Sequence, residues 1–298
     1  MSKSKHRIFQ VLILCLMWCL LFGVVSSAVS VNFTKQELEY FGSIKDKRPW
    51  VYPSVTVTLG GSLVPESAYL INDTTYVPFR AAATLAGAAV SFQSSSRTAY
   101  ASMPGLELYA SDGSYIIYAN ERALLSKSPA IILDDGKMYI PIRSLAKALS
   151  LSVEWTPERV VKLGGTVKPI LHANDYYNQD DLYWLSKIIS AESQGEPLLG
   201  QIAVGNVVLN RKASKDYPST VYGVIFDKKY GVQFSPAADG SIYRAPSYLS
   251  VQAAKICLEG ISVSEKILFF LEPTKANSAW IVLNRKYAFT VANHYFFY

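Results

Sequence analysis

Glu192 is the residue whose type and position best suit chemistry. It lies in the segment SKIISAESQGEP, residues 186–197, at the end of an apolar helical stripe and shortly before Gly195 and Pro197, which are expected to end the helix. A carboxylate on an apolar face is costly unless it is partnered or protonated. Burial raises the pKa of a carboxyl group, and a Glu with a pKa near neutrality suits a general acid. Two interpretations stay open: a catalytic acid, or a Glu that is hydrogen-bonded to a backbone amide or an Arg.

Glu196 has a simpler explanation. It falls near the start of a second predicted helix, PLLGQIAVGNVVLNRKA, residues 197–213. A negative charge at a helix N-terminus complements the helix dipole. We therefore interpret Glu196 as a structural residue.

Other catalytic chemistries lack their residues. His6, His172 and His294 lie far apart and form no zinc-binding motif, and Cys257 has no nearby His. The sequence has no Gly-x-Ser-x-Gly motif and no Gly-rich phosphate loop. We expect no metal and no cofactor, which leaves carboxylate acid–base chemistry. Asp239, in SPAADGSIY, is the best second carboxylate, although this segment is more typical of a turn.

The N-terminus is typical of an exported protein. Basic residues precede the apolar run IFQVLILCLMWCLLFGVV, and small residues follow it. Residues 1–28 are therefore predicted to be a signal peptide or an uncleaved signal anchor, and residues 29–50 a tether. Part of the net charge of +6 belongs to this N-terminal segment, and the mild excess from residue 181 onward, 12 Lys and Arg against 9 Asp and Glu, suits an anionic polymer such as a cell wall without being specific for one. No Lys/Arg run with interleaved aromatic residues indicates nucleic-acid binding.

An internal repeat organises the next part of the chain. TYVPFRAAATLAGAAVSF, residues 75–92, aligns with MYIPIRSLAKALSLSVEW, residues 138–155, at a constant offset. Each copy predicts a strand, a turn, a strand, a helix and a strand. The fold class is thus predicted as α+β, with this repeated domain at residues 51–165, a linker at 166–179 and a mainly helical domain at 180–298.

The repeat resembles the copper amine oxidase-like N-terminal domain, also called the stalk domain, through TYVPFRA and MYIPIRS. No His or Cys occurs between residues 29 and 165, so the ligands that copper prefers are missing. We expect a non-catalytic spacer or wall-association module.

The helical part resembles the SleB/CwlJ cell wall hydrolase family, whose founding members are spore cortex-lytic enzymes. The similar blocks, in order, are IISAESQGEPLLGQIAVGNVVLNR, YPSTVYGVIF, QFSPAADGSIY, ILFFLEP, SAWI and NHYFFY. The resemblance implies a lysozyme-like domain related to lytic transglycosylases, with Glu192 as the catalytic acid.

The same resemblance implies an exported enzyme that acts on peptidoglycan glycan strands, in spore cortex lysis during germination or on the vegetative wall. One Glu would cleave the MurNAc–GlcNAc bond, as acid and then as base. The alternatives are a hydrolytic muramidase and a non-catalytic wall-binding or spore-structural protein.

Five residues are candidates for substrate contacts. Gln233, Phe234 and Tyr243 occupy positions of the family's motif and suit amide recognition and stacking on a sugar. Trp280 and Tyr295 either line the groove or belong to the core.

Overall fold

The computed structural model describes residue 42 and residues 44–229, 231–275 and 279–298. The predicted signal segment, residues 1–28, and most of the predicted tether lie outside the described residues. No helix within the described ranges is both long and apolar enough to cross a membrane. Residues 44–50 of the predicted tether contact the next domain, since the Asp134 N–H donates to the Lys47 carbonyl at 3.0 Å.

Both copies of the repeat fold as expected. In the first copy, β3 (Ala68–Ile71) and β4 (Thr74–Pro78) precede α1 (Phe79–Leu85) and β5 (Ala89–Gln93). In the second copy, β10 (Ile131–Ile132) and β11 (Met138–Pro141) precede α2 (Ile142–Ala148) and β12 (Ser152–Trp155). Asn72 and Asp73 both have positive φ angles, 46° and 60°, as the tight hairpin between β3 and β4 requires. Because β4 and β11 pair antiparallel, with Val77 opposite Ile140, the two copies join side by side within one sheet.

Two sheets form the N-terminal part. The remaining strands are β1 (Ser54–Leu59), β2 (Ser62–Leu63), β6 (Thr98–Met103), β7 (Leu106–Ser111), β8 (Ile116–Ala119), β9 (Arg122–Leu125) and β13 (Val160–Gly164). The eight-stranded sheet has the order β10-β11-β4-β3-β1-β13-β12 with β2 on β1, and the five-stranded sheet runs from β5 to β9. One apolar core unites both sheets and both helices, as the buried side chains Val57, Ala82, Leu108 and Leu145 illustrate.

The C-terminal part is mainly helical, as predicted. Its helices are α3 (Ala173–Tyr176), α4 (Gln179–Ser193), α5 (Leu198–Ala213), α6 (Val221–Ile225), α7 (Ser235–Asp239), α8 (Tyr248–Leu258) and α9 (Trp280–Asn284). Helix α5 packs closely on α4 and α8 at Gly205, where an added Cβ would lie 2.7 Å from the Cys257 sulfur and 2.8 Å from the Ile189 Cδ1. Cys257 is a buried core residue, as expected.

A small sheet completes the C-terminal part. It consists of β14 (Phe269–Leu271), β15 (Tyr287–Val291) and β16 (His294–Phe297), with β16 in the middle. Val291 and Phe296 of this sheet are buried in the same apolar core as the helices.

The two parts pack against each other. Tyr115, Ile116 and Ala123 of the β-rich part are buried in the same apolar core as Ile188 and Ile256 of the helical part. The predicted linker, residues 166–179, contains α3 and forms backbone hydrogen bonds with the β-rich part, among them Ala173 N–H to the Asn120 carbonyl at 2.9 Å. The connection is therefore a packed segment, while the exact domain boundaries stay a prediction.

Candidate active site

Glu192 lies in the last turn of α4. The side chain of Asn178 accepts a hydrogen bond from Asp181 N–H and thereby caps the start of this 15-residue helix. Leu185, Ile188 and Ile189 are fully buried and fix the helix on the core. The same face ends at Glu192, which is half-buried.

Glu192 opens onto a groove of about 1200 Å³. The groove runs between the ends of α4 and α5, the segment around α7, and the strand β14 with the residues that follow it. Its lining includes Ala191, Glu192, Arg211, Asp216, Tyr217, Gln233, Phe234, Asp239, Ser241, Phe269, Phe270, Glu272, Lys275, Trp280, Arg285 and His294.

The environment of Glu192 favours its protonated form. Burial raises the pKa of Glu192 to about 7, and the negative charge of Asp239 acts in the same direction. The positive charges of Arg211 and Lys275 oppose this rise. Among the described residues, none forms a hydrogen bond or an ion pair with the Glu192 carboxyl group. Glu192 therefore lacks, among the described residues, the backbone amide or Arg partner that would explain it as a structural residue.

Arg211 places a buried cation in the groove. Its Nε donates to the Leu268 carbonyl at 2.7 Å, and its guanidinium lies 5.2 Å from the ring centres of Tyr217 and Phe234. No carboxylate within the described ranges lies within ion-pair distance of it, and burial lowers its pKa. Arg211 was not predicted from the sequence, although a basic residue at the end of the apolar stripe NVVLNR is a signal that could have indicated it.

Asp239 is a second acid on the groove. It is exposed at the end of α7, and its Oδ1 accepts a hydrogen bond from Ser241 N–H at 2.8 Å. The hydrogen bonds from Ser241 lower the pKa of Asp239, so this carboxylate is ionised at neutral pH. The segment is a turn, as expected, and at the same time presents a negative charge to Glu192.

Glu196 is a buried anchor for the C-terminal hairpin. It accepts hydrogen bonds from the backbone N–H of Asn293 at 3.2 Å and from Asn293 Nδ2 at 3.0 Å. The His294 Nδ1 lies 3.6 Å from its Oε1. Glu196 lies two residues before the start of α5, so it combines the expected place near a helix N-terminus with contacts that the sequence did not reveal. His294 is buried against Phe270, at 5.5 Å between ring centres, and lines the groove.

Three of the predicted substrate-contact residues line the groove. Gln233 is half-buried, and its Oε1 lies at hydrogen-bonding distance, 3.5 Å, from Arg211. Phe234 is buried, so it forms part of the groove wall and offers little free surface for stacking. Trp280 is exposed and lies beside Arg285, whose guanidinium is 5.0 Å from its ring centre. Of the two alternatives for Trp280, the groove is the one observed.

Tyr243 and Tyr295 are not among the residues that line the groove. For Tyr295 neither the groove nor the core is observed, whereas a substrate contact at Tyr243 stays a prediction. Tyr243 is exposed and lies 6.3 Å from Trp184, on a surface beyond the groove. Tyr295 alternates along β16 with the buried His294 and Phe296, so its exposed ring points to the opposite face, near Tyr287.

Two known families match the chain in separate regions. Residues 195–298 match the family described as Cell Wall Hydrolase, and residues 58–163 match the family described as Copper amine oxidase N-terminal domain. The first match begins three residues after Glu192. The second region contains no His or Cys, so its residues do not fit a copper site.

Several curated proteins are similar to the C-terminal part. A spore cortex-lytic enzyme of Bacillus cereus is 38% identical over 105 residues, which cover 35% of this chain and 39% of the relative. A spore cortex-lytic enzyme of Oceanobacillus iheyensis is 36% identical over 118 residues, or 40% of this chain and 41% of the relative. The chain thus spans about two fifths of the length of these relatives.

Solved structures are also similar to part of the chain. The catalytic domain of the germination-specific lytic transglycosylase SleB from Bacillus anthracis is 34% identical, with a TM-score of 0.37. The match covers 41% of this chain and 97% of that one.

Both resemblances that the sequence indicated are confirmed by these family matches. The chain carries a copper amine oxidase N-terminal domain followed by a cell wall hydrolase domain.

Proposed function

We propose that this protein is an exported enzyme that cleaves peptidoglycan glycan strands between MurNAc and GlcNAc, as a lytic transglycosylase. The observation that carries the proposal is Glu192, a carboxyl group in a groove with no hydrogen-bond or ion-pair partner among the described residues, whose pKa burial raises to about 7. The similarity of the surrounding region to enzymes named spore cortex-lytic supports peptidoglycan as the substrate.

The first step is the donation of a proton. Protonated Glu192 gives its proton to the glycosidic oxygen, and the bond between this oxygen and the anomeric carbon of the muramic acid breaks. The N-acetyl group of the sugar supports the positive charge that develops at this carbon. Arg211 and Lys275 stabilise the carboxylate that remains, because their positive charges favour the ionised form of Glu192.

The second step returns the proton. The C6 hydroxyl of the same muramic acid bonds to its anomeric carbon and loses its proton to the Glu192 carboxylate. The product is a 1,6-anhydromuramic end, no water is consumed, and the enzyme is ready for another cycle. One carboxyl group suffices for both proton transfers.

The site of action follows from the substrate. Peptidoglycan lies outside the cytoplasmic membrane, so the predicted signal segment at residues 1–28 would export the protein and either be cleaved or anchor it. The names of the relatives favour the spore cortex, during germination, over the vegetative wall.

A hydrolytic muramidase is the second candidate. Asp239 favours it, because this ionised carboxylate lines the same groove and its charge acts on Glu192. A muramidase that adds water usually needs two carboxylates across the scissile bond. Asp239 would then be the second one.

Product analysis separates these functions. Purified spore cortex and vegetative sacculi are digested in water enriched in oxygen-18, and the soluble fragments are analysed by mass spectrometry. Unlabelled anhydromuramic ends support the transglycosylase, whereas labelled reducing ends indicate the muramidase. Binding without any cleavage of either substrate would overturn the enzymatic proposal and favour a wall-binding protein.

A further inference from the structure

An exposed cluster of aromatic rings lies beyond the groove. We call it the aromatic platform and define it as Tyr183, Trp184, Tyr222, Phe226 and Tyr243. Trp184 is at its centre, with ring-centre distances of 5.0 Å to Tyr183, 5.1 Å to Tyr222, 5.3 Å to Phe226 and 6.3 Å to Tyr243. Tyr222 and Phe226 are 4.6 Å apart. The five rings therefore form one continuous surface.

The platform is unusually open for an aromatic cluster. Tyr183, Tyr222 and Tyr243 are 51%, 52% and 61% exposed, while Trp184 and Phe226 are half-buried. Contiguous exposed apolar surface is costly in water and commonly marks a binding site. The proposed catalytic steps do not use any of these rings.

Buried contacts hold the platform in place. Lys187, one turn after Tyr183 on α4, is buried, and its Nζ donates to the carbonyls of Tyr243 at 3.0 Å and Arg244 at 2.9 Å. The ammonium group also lies 5.2 Å from the ring centre of Tyr183. The turn that carries Tyr243 is thereby fixed on the helix that carries Trp184. Rings that are fixed before binding lose little conformational entropy on binding.

The platform continues from the groove. Asp239 and Ser241 line the groove, and Ser241 belongs to the same 3-10 turn as Tyr243. Trp184 and Glu192 lie on the same helix, eight residues or about 12 Å apart along its axis. The groove and the platform therefore adjoin at the 3-10 turn Ser241–Tyr243, so a polymer bound at Glu192 would reach the platform past this turn.

A glycan strand has the chemistry that this surface recognises. The C–H faces of a pyranose ring are apolar and stack on aromatic rings, while the hydroxyl groups at the ring edge stay in water. Tyrosine adds a phenol group that can bond to those hydroxyls.

We propose that the aromatic platform is an accessory glycan-binding site, which holds the strand beyond the groove during cleavage. This inference rests on the proposed function, since the strand is the same substrate. The site explains why Tyr243, a residue with the expected properties of a sugar contact, lies outside the groove.

A binding assay tests the platform. The full-length protein with Glu192→Gln, which is not expected to cleave, is titrated with long soluble glycan strands and with fragments that only fill the groove. Adding Tyr183→Ala and Tyr222→Ala should weaken the binding of long strands about tenfold and leave the binding of the short fragments unchanged. Tyr183→Phe with Tyr222→Phe should retain most of the affinity, because the stacking surface stays.

Tyr287→Ala is the matched control. Tyr287 has a similar exposure, 53%, but lies on β15, outside the platform. The Glu192→Gln protein that also carries Tyr287→Ala should bind long strands as tightly as Glu192→Gln alone does. If the Tyr183/Tyr222 alanine variant keeps full affinity for long strands while its thermal unfolding is unchanged, the platform is not a glycan site, and a protein partner becomes the better occupant. If the platform variants lose affinity but the wild-type protein cleaves no glycan, the platform stands and the proposed catalysis fails.

Discussion

Arg122 of the β-rich part and Glu259 of the helical part form a buried ion pair. The Arg122 Nε lies 2.7 Å from Glu259 Oε1, and the two side chains are only 6% and 1% exposed. Lys147 and Tyr177 also contact this carboxylate, at 2.8 Å and 2.7 Å. Burial alone would raise the pKa of Glu259, but the hydrogen bonds from these three residues outweigh it and lower the pKa. The two parts of the chain are thus joined by a charged network as well as by an apolar core.

Glu259→Gln should lower the free energy of unfolding by about 3–5 kcal/mol, because it leaves Arg122 buried without a counter-charge. Urea denaturation of the two proteins at neutral pH measures the difference. The difference should shrink as the pH falls through the folded-state pKa of Glu259, since protonation removes the same charge in the parent protein.

Lys147→Gln is the control for this network. The Lys147 side chain is 43% exposed, so its loss should cost less than about 1 kcal/mol. Equal stability of the Glu259→Gln variant and the parent would show that the ion pair does not join the two parts.

The rate of cleavage should fall at alkaline pH. Glu192 must be protonated to donate, so kcat/KM is expected to decline as the pH rises through about 7, the pKa that burial produces. Initial rates of release of soluble fragments across the pH range measure this decline, the alkaline limb of the pH profile. A rate that stays constant well above neutral pH would contradict the role of Glu192 as a general acid.

Two charge changes should move this limb in opposite directions. Asp239→Asn removes a negative charge that raises the pKa of Glu192, so the alkaline decline of the rate should begin at a lower pH than in the wild type. Lys275→Gln removes a positive charge that lowers this pKa, so the alkaline decline of the rate should begin at a higher pH than in the wild type. Both residues are exposed, so the fold is expected to tolerate both changes. Complete loss of activity in Asp239→Asn would instead favour the muramidase, in which this carboxylate is essential.

Glu192→Gln should stabilise the protein at alkaline pH. The folded-state pKa of about 7 lies above the ordinary value of 4.5, so folding binds a proton and ionisation at higher pH destabilises the native state. This loss of native-state stability grows from about pH 4.5 to pH 7 and then levels off at about 3 kcal/mol for a pKa shift of this size. Thermal unfolding of both proteins at about pH 4 and pH 8 compares the stabilities. A stability difference that does not change with pH would contradict the raised pKa.

Gly205→Ala should destabilise the helical part. The added methyl group would collide with Cys257 and Ile189 where α5 meets α8 and α4. Overpacking of this kind costs typically about 1–3 kcal/mol. Gly195→Ala is the matched control, because no atom lies within 4 Å of the position of its Cβ. Chemical denaturation should separate the two variants, and equal stability would show that the helices can move apart at no cost.

Local patterns predicted the parts of the structure that depend on neighbouring residues. The repeat was visible because each strand, turn and helix has its own signal, and Glu192 stood out because helical periodicity places it on the buried face of α4. Tyr295 was predicted to line the groove or belong to the core, but it is exposed on the other face of β16. The sequence did not show that its neighbour His294 points inwards along this strand. Contacts across long separations, such as Glu196 with Asn293, 97 residues apart, left no signal in a single sequence. The aromatic platform was missed for the same reason, because three separate segments supply its rings.

In the proposed mechanism, Glu192 alone carries the proton transfers of glycan cleavage. The most direct test compares the fragments that wild-type protein and Glu192→Gln release from purified peptidoglycan, by mass spectrometry, with Tyr287→Ala as a folded control. We expect anhydromuramic ends from the wild type and from Tyr287→Ala, and none above background from a folded Glu192→Gln protein. Anhydromuramic ends released by Glu192→Gln at the wild-type rate would contradict this mechanism.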